Sequence, residues 1–394
     1  RVSKSASILT GPRLLRRFLL QRLVVIRPFT TRPRFSGPPG FLRLLNLMRQ
    51  PNRSMNCKVN QEAAESALTE IGFTLVEVMI SVVITAIGIT AVFGFIAARI
   101  KSDVRVPEQI YQFLSIYLLL GIGLKGGHSL KSVTLEEIFA PALTTVIAGA
   151  LIPVFAYLSL KLIKALSVVD RGSIAAHYGS TSLVTFSAAL LFLESNSIFV
   201  EGFAPALLTL MEIPGLIVGI YLGSRTPGSE VKWSETLKEV LLGKTVLLLC
   251  GGLFIGAVST NEGYDKVNPF FGGLLSGFLV LFLLHLGYLA GFNFSEVRKV
   301  GKPLIVFGLL FPLTVGVIGV AIGELIGLSV GGATIFGVLC ASASYIAAPA
   351  AVHVALPKAN ATVALTSSIG VTFPFNLIIG IPVYFKVAEF LSTL

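Results

Sequence analysis

The chain has 394 residues, of which 54% are hydrophobic and only 13% are charged, and its mean hydropathy is +0.84. A soluble domain carries roughly 25% charged residues, so this composition excludes a soluble globular protein and indicates an integral membrane protein. The net charge of +11 is misleading, because residues 1–54 alone hold eleven arginines, one lysine and no acidic residue. The remaining residues therefore sum to −1, which argues against a nucleic-acid-binding surface on the folded body.

The basic leader, residues 1–54, has no initiator methionine, and its prolines break every helical period. Arginine-rich, acid-poor segments of this kind are either targeting peptides or, as an alternative, a translated upstream region with Met55 as the true start. In both cases we expect the leader to lie outside the mature fold. Residues 55–74 form a separate N-terminal segment.

Residues 72–80, GFTLVEVMI, resemble the class III signal of type IV pilins, with a glycine before the cleavage point and Glu77 five residues into an apolar helix. A pilin continues as one long helix into a soluble head, whereas nine more apolar segments follow here. We therefore interpret the match as incidental or as a fusion.

Apolar runs of about 20 residues, each long enough to cross a bilayer as a helix, recur from residue 75 to the end of the chain. A polar linker at 224–244 separates a first group of five, 75–223, from a second group of five, 245–394. The sequence thus predicts an all-α membrane protein with ten spans. They lie near residues 75–99, 109–126, 137–160, 173–193, 200–223, 245–260, 268–291, 303–327, 331–355 and 362–391.

The two halves echo each other. GLKGG (123–127) closes the second span of one half and GYLAG (287–291) that of the other. The fourth and ninth spans are both rich in small and hydroxylic residues: HYGSTSLVTFSAA (177–189) and CASASYIAAP (340–349). Because an odd number of crossings flips the second copy, this pattern predicts a five-plus-five inverted repeat, the arrangement of many secondary transporters.

Helix breakers within these two spans, Gly179 and Pro349, predict interrupted helices. Non-helical backbone at membrane depth persists only where it is buried in protein or lines a cavity. Helix N-termini at such a break favour an anion, while freed carbonyls and hydroxyls hold a cation. The breaks are therefore the predicted binding site.

Basic residues give the predicted orientation. The loops after spans 1, 3, 5, 7 and 9 carry fourteen lysines and arginines, and the opposite side carries four. By the positive-inside rule, the fourteen face the cytoplasm of a plasma (inner) membrane protein and both termini are external. The four opposite residues are Lys125, Lys131, Lys266 and Lys386.

Six stretches in order make residues 93–394 resemble the sodium-dependent bicarbonate transporters of cyanobacteria and their proteobacterial relatives. They are SDVRVPEQIYQFLSIYLLLGIGLKGG (102–127), AAHYGSTSLVTF (175–186), LMEIPGLIVGIYL (210–222), FFGGLLSGFLVLFLLHLGYLAG (270–291), CASASYIAAPAAVHVALPKAN (340–360) and SSIGVTFPFNLIIGIPVYF (367–385). The resemblance implies a gate domain, a core domain with two interrupted helices, homotrimers, and bicarbonate import with sodium. It also implies a possible PII-like regulatory protein on the cytoplasmic face.

The resemblance also implies the substrate-binding residues. Ser182 and Thr185 fall on hydroxyls of a motif in the fourth span, in which Leu183 and Val184 replace a Gly-Ser pair. The ninth span contributes a motif similar to Ser-Ser-Asp, and here a tyrosine stands in place of the aspartate. The predicted residues of that break are Ser342, Ser344, Tyr345 and Ala347.

Glu212 in LMEIPG is the predicted ion-coupling carboxylate, together with Ser344, because ionisable residues inside a membrane are expensive and usually functional. It matches an aspartate of the family motif; a structural hydrogen bond is the alternative. His177, His285 and His353 have no metal-like spacing and are expected to be packing residues. Cys57, Cys250 and Cys340 likewise lack metal-ligand spacing, so neither a metal nor a cofactor is expected, apart from sodium as a coupling ion.

The predicted function is secondary import of a small monovalent anion, most simply bicarbonate, by sodium symport; no Walker-type nucleotide loop occurs in the chain. The alternative is the same fold carrying another small anion or organic acid. More remote alternatives are a pilin-like assembly component and an intramembrane protease that pairs Ser180 or Ser182 with His353. No Gly-x-Ser-x-Gly surrounds either serine, so no enzyme is expected.

Overall fold

The computed structural model describes residues 89–225, 231–292, 294 and 301–394. The basic leader, the segment 55–74 and the pilin-like stretch 72–80 lie outside these residues. Every regular element in the described ranges is a helix and none is a strand, which confirms the predicted all-α architecture.

Helices dominate because lipid offers no partner for backbone N–H and C=O groups, which a helix pairs within its own segment. In the described ranges they are α1 (Ile89–Arg99), α2 (Glu108–Leu130), α3 (Leu135–Leu160), α4 (Val168–Gly179), α5 (Leu183–Ser195), α6 (Ala204–Ser224), α7 (Trp233–Leu242), α8 (Lys244–Val258), α9 (Asn261–Phe271), α10 (Leu275–Phe292), α11 (Lys302–Leu325), α12 (Val330–Ala341), α13 (Ala347–Ala355) and α14 (Ala361–Leu391).

Seven helical stretches in the described ranges are long and apolar enough to cross a bilayer, and an eighth is formed if the pair α7–α8, bent by 44°, counts as one span. These stretches include α4 with α5 and α9 with α10, each taken as one. The helices α1 and α12 are shorter and apolar. Each of the ten predicted spans overlaps at least one helix.

Glycines of the two echoed motifs lie where the second predicted span of each half packs against the first predicted span of the other half. Gly127 of GLKGG packs on the backbone of Leu253 in α8, and Gly287 of GYLAG packs on the backbone of Ala91 in α1. Neither contact leaves room for a Cβ atom, so both positions require glycine. The pairing of α2 with α8 thus has a counterpart in the pairing of α10 with α1.

A second pair of contacts joins the two halves at the starts of helices. The Ser329 amide before α12 donates to Glu201 Oε1 at 2.6 Å, from the loop that leads into α6. The Asn360 amide before α14 donates to Asp170 Oδ1 at 2.8 Å, in the first turn of α4. In each case, the start of an interrupted span is joined to the start of the last span of the opposite half.

One expectation about local structure, the position of the second break, was wrong. The second break covers residues 342–346 and ends before Pro349, which lies in the first turn of α13. A proline is compatible with that position because a first-turn N–H has no partner within the helix. The predicted polar linker also contains an amphipathic helix, α7, which buries Thr236 and Val240 on one face.

Candidate functional site

The two interrupted helices meet at their interruptions. The first break, residues 180–182, joins α4 to α5, and the second break, residues 342–346, joins α12 to α13. Ser182 adopts an extended conformation with φ −104° and ψ 111°, and Ser342 does so with φ −81° and ψ 161°. The two breaks together are called the crossing below.

Three main-chain amide hydrogen bonds hold the crossing together. The Ser182 amide donates to Ser342 Oγ at 3.0 Å. The Ser344 amide donates to the carbonyl oxygens of His177, at 2.7 Å, and Ser180, at 3.1 Å. All five residues are buried. Backbone groups that the breaks release from helical pairing are therefore satisfied by the opposite break.

The hydroxyl groups of the crossing cap the helices that leave it. Ser182 Oγ accepts from the Thr185 amide at 3.3 Å and from Thr185 Oγ1 at 3.0 Å, at the start of α5. Ser344 Oγ accepts from the Ala348 amide at 3.3 Å, at the start of α13. Ala347 is the first residue of α13. The predicted residues of both breaks thus lie at or just before the N-termini of α5 and α13.

These N-termini give the crossing its electrostatic character. The first amides of a helix have no acceptor within it, and the helix dipole places partial positive charge there. At α5 these amides belong to Leu183 and Val184, so the contribution does not depend on their apolar side chains. The helices α4 and α12 end at the crossing and bring partial negative charge, so it presents sites for both an anion and a cation.

Tyr345 lies in the second break, between Ser344 and the start of α13. It is 6% exposed, and its ring packs edge-on to Phe373 with centroids 5.6 Å apart. The hydroxyl faces the side chain of Ser182 but does not meet the geometry of a hydrogen bond. Within the described ranges Tyr345 Oη therefore has no partner, and it places a free donor in the crossing.

Glu212 lies on α6, the helix that packs against the first break. Gly215 packs on the backbone of Gly179, and Thr181 Oγ1 donates to the Leu208 carbonyl at 3.3 Å. Leu208, Glu212 and Gly215 are spaced i, i+4, i+7 and so share a helix face. Glu212 is 1% exposed, and its Oε1 makes no hydrogen bond to a described residue, so the structural hydrogen bond considered as an alternative is absent for this atom.

The last helix, α14, supplies polar groups that sequence reasoning missed. Residues 366–372 and 376–380 are π-helical, a form that is frequent at functional sites. Tyr178 Oη lies 2.7 Å from both Ser367 Oγ and Thr372 Oγ1, and Asn376 Nδ2 donates to the Ala341 carbonyl at 2.8 Å. The density of hydroxyl and amide residues in SSIGVTFPFN (367–376) was the available signal.

Of the three histidines expected to be packing residues, His177 alone contacts the crossing in the part of the chain that the structure describes. Its Nδ1 lies 2.7 Å from the Ser344 carbonyl oxygen, which requires the Nδ1–H tautomer as donor. His285 packs against the ring of Tyr111 with centroids 4.7 Å apart, and His353 is exposed and makes no hydrogen bond to Ser180 or Ser182 in the described ranges. Within the same ranges, no three His, Cys, Asp or Glu side chains converge as metal ligands. His177 is thus more than a packing residue, because it fixes the backbone of the second break.

Two family models match the chain. The model of the Na+-dependent bicarbonate transporter superfamily matches residues 87–389. The model of the prokaryotic N-terminal methylation motif matches residues 70–93, in agreement with the resemblance of the stretch 72–80 to pilin signals. The chain matches no curated protein.

Proposed function

Because the chain belongs to the Na+-dependent bicarbonate transporter superfamily, we propose that it is a secondary transporter that imports bicarbonate together with Na+. The observation that carries the proposal is the crossing, where hydrogen bonds join the breaks that precede α5 and α13. A small monovalent anion fits such a site because main-chain amides hold it without a buried basic residue. No chemical conversion of the substrate is involved.

The proposed anion site consists of the first amides of α5 and α13 together with the hydroxyls that surround them. Ser182, Thr185, Ser342 and Ser344 already share hydrogen bonds at the crossing, so their orientation is fixed before the anion arrives. The amide of Ala347 and the free hydroxyl of Tyr345 donate to the anion. Each contact with a helix N-terminus contributes about 0.3–1 kcal/mol, more where the site is dry.

The proposed architecture is a ten-span, five-plus-five inverted repeat. The two pairs of contacts described above support it, because a two-fold axis in the membrane plane would relate the two contacts of each pair. Pairing of α2 with α8 becomes pairing of α10 with α1. Likewise, the contact between the starts of α12 and α6 becomes the contact between the starts of α4 and α14, with donor and acceptor exchanged. An inverted repeat of this kind lets one bundle rock against the other around a fixed site, which is how alternating access is achieved.

Na+ is the proposed coupling ion, with Glu212 and Ser344 as its candidate residues. Glu212 is buried in α6 beside the first break, and Ser344 lies in the second. Anion and cation then enter together as a neutral pair, which lowers the desolvation cost of each. Plasma-membrane location with external termini is supported by the distribution of basic residues, while the homotrimer and a PII-like regulator are proposed from the family resemblance.

Two alternative functions are each favoured by part of these observations. The same fold would carry another small anion or an organic acid if the crossing selects only for charge and size. Processing as a pilin-like protein is favoured by the methylation motif at 70–93. However, α1 ends at Arg99 and packs along α10, whereas a pilin helix continues into a soluble head.

The proposal is tested by uptake of [14C]bicarbonate into proteoliposomes that contain the full-length protein. The external buffer is held near pH 8 to limit CO2 leakage, and an inward Na+ gradient is compared with an equal K+ gradient. We expect accumulation only with Na+, and inhibition by unlabelled bicarbonate but not by formate, acetate or nitrate. Accumulation that depends on Na+ but is equally inhibited by an organic acid would favour the alternative substrate. Equal uptake with Na+ and K+ would refute sodium symport.

A further inference from the structure

Two buried polar groups beside the first break are not used by the anion site. Glu212 and Ser180 are each only 1% exposed. Glu212 Oε1 and Ser180 Oγ make no hydrogen bond to any residue that the structure describes. Buried polar atoms without a partner are few in native proteins, and each requires a physical explanation.

Both groups belong to the same contact between α6 and the first break. Gly215 packs on the backbone of Gly179 and Ser180 with no room for a Cβ, one turn beyond Glu212. Leu208, one turn before Glu212, accepts a hydrogen bond from Thr181 at 3.3 Å. Along the axis of α6, Glu212 therefore lies at the height of the peptide bond between Ser180 and Thr181.

An ionised carboxylate in this position requires a cation. The burial of a lone carboxylate costs several kcal/mol even after relaxation, and no basic side chain in the described ranges forms an ion pair with Glu212. The polar groups that this contact offers are hard oxygen ligands: the carboxylate of Glu212, the hydroxyl of Ser180 and the carbonyl of Gly179, at which α4 ends. Oxygen ligands of this kind suit an alkali cation, and a half-helix C-terminus adds favourable potential.

We propose that Glu212 Oε1 and Ser180 Oγ bind the coupling Na+ on the α6 side of the first break, separate from the anion at the crossing. This carboxylate supplies a negative charge that the breaks themselves lack, because neither residues 180–182 nor residues 342–346 include an acidic residue. In this arrangement Ser180 replaces Ser344 as the hydroxyl ligand of Na+, and Ser344 belongs to the anion site.

Ser180 also connects the two sites. Its hydroxyl faces the cation, while its carbonyl oxygen accepts the Ser344 amide at 3.1 Å. The next residues of the same short segment lead to Ser182, which caps α5. A cation that fixes Ser180 therefore fixes the amides on which the anion depends. By linkage, the anion must raise Na+ affinity by the same factor.

This inference rests on the proposed function for the identity of the cation, and its test does not require transport. The melting temperature of the detergent-purified full-length protein is measured without bicarbonate, with NaCl replacing choline chloride at constant ionic strength. Ligands that bind only the folded state raise the melting temperature in a saturable manner. We expect such a response to Na+, and a loss of at least tenfold in apparent Na+ affinity in Glu212→Gln and Ser180→Ala.

Two matched variants control for the general effect of removing a buried polar group. Glu324 on α11 has an Oε1 without a partner, and Ser173 on α4 has a fully buried hydroxyl without one, both judged within the described ranges. Glu324→Gln and Ser173→Ala should keep the wild-type Na+ response. Glu212→Gln should also melt no lower than the wild type in Na+-free buffer, because it removes an uncompensated charge, so a fold that stays intact is part of the prediction.

The outcomes separate the site from the transport function. An unchanged Na+ response in Glu212→Gln and Ser180→Ala, or an equal loss in the two control variants, overturns the proposed site. The absence of a Na+ response in the wild type overturns it as well. If the response depends on Glu212 and Ser180 but no bicarbonate is accumulated, the site stands and the proposed substrate fails. If uptake requires Na+ in both variants with unchanged half-saturation, the function stands and the site fails.

Discussion

Replacement of Ser342 by alanine tests whether the two breaks depend on each other. Ser342 Oγ accepts from the Ser182 amide and donates to the Leu339 carbonyl, both at 3.0 Å. Alanine removes both bonds and leaves the buried Ser182 amide without its acceptor. A buried donor left unsatisfied costs about 1–3 kcal/mol. At about 2 °C per kcal/mol, the lower end for a large domain, the melting temperature should fall by about 2–6 °C.

Transport should respond as well, because the Ser182 amide fixes the start of α5. If about 1 kcal/mol of this loss is felt by the bound anion, the KM for bicarbonate rises about fivefold. Ser159→Ala is the matched control, since its hydroxyl donates to the Phe155 carbonyl at 2.8 Å on an exposed part of α3. Thermal melting and [14C]bicarbonate uptake are measured for both variants. A Ser342→Ala protein with wild-type melting temperature and KM would refute the mutual dependence of the breaks.

Three further predictions concern the anion site, the contact between α6 and the first break, and the membrane topology. Tyr345→Phe should melt no lower than the wild type, since the hydroxyl has no partner among the described residues, yet it should raise the KM for bicarbonate; an unchanged KM would remove the phenol from the anion site. Gly215→Ala places a Cβ against the backbone of Gly179, so it should destabilise the protein by about 1–3 kcal/mol and reduce Na+-driven uptake, whereas Gly277→Ala, at an open position in α10, should have little effect on either readout. Alkaline phosphatase fused after Leu394 should be active and a fusion within the linker 224–244 inactive; the reverse pattern would contradict the charge-based orientation.

Much of the fold was predictable because lipid imposes strong constraints on sequence. An apolar run of about 20 residues has few alternatives to a helix at membrane depth, and the predicted spans overlap the helices accordingly. Gly179 marked the first break correctly, as the last residue of α4. The second break was predicted at Pro349 but begins at Ser342. A proline by itself does not decide whether a helix ends before it or begins just ahead of it.

The contacts between the two breaks were less accessible from sequence, because they join residues more than 150 positions apart. Periodicity placed Ser182 and Ser342 in two separate spans, and only the folded chain shows the hydrogen bond between them. The role of His177 was missed for the same reason, since its acceptor is the backbone of Ser344. The π-helical stretches of α14 were missed because α- and π-helical residues differ little in composition. The burial of Glu212 agrees with its place in an apolar run, while its role in ion coupling stays a prediction.

The most direct test of the central claim asks whether bicarbonate binds where the breaks meet. A cysteine is placed at Ala347, at the start of α13, in a protein whose native cysteines at 57, 250 and 340 are replaced by alanine. A second protein carries the cysteine at Gly277 as a control. The rate of alkylation by a small thiol reagent is then measured with Na+ and increasing bicarbonate. Saturable protection of the cysteine at 347, absent with nitrate and absent at 277, is the predicted result. Alkylation at 347 that bicarbonate leaves unchanged, in a variant that still transports, would contradict it.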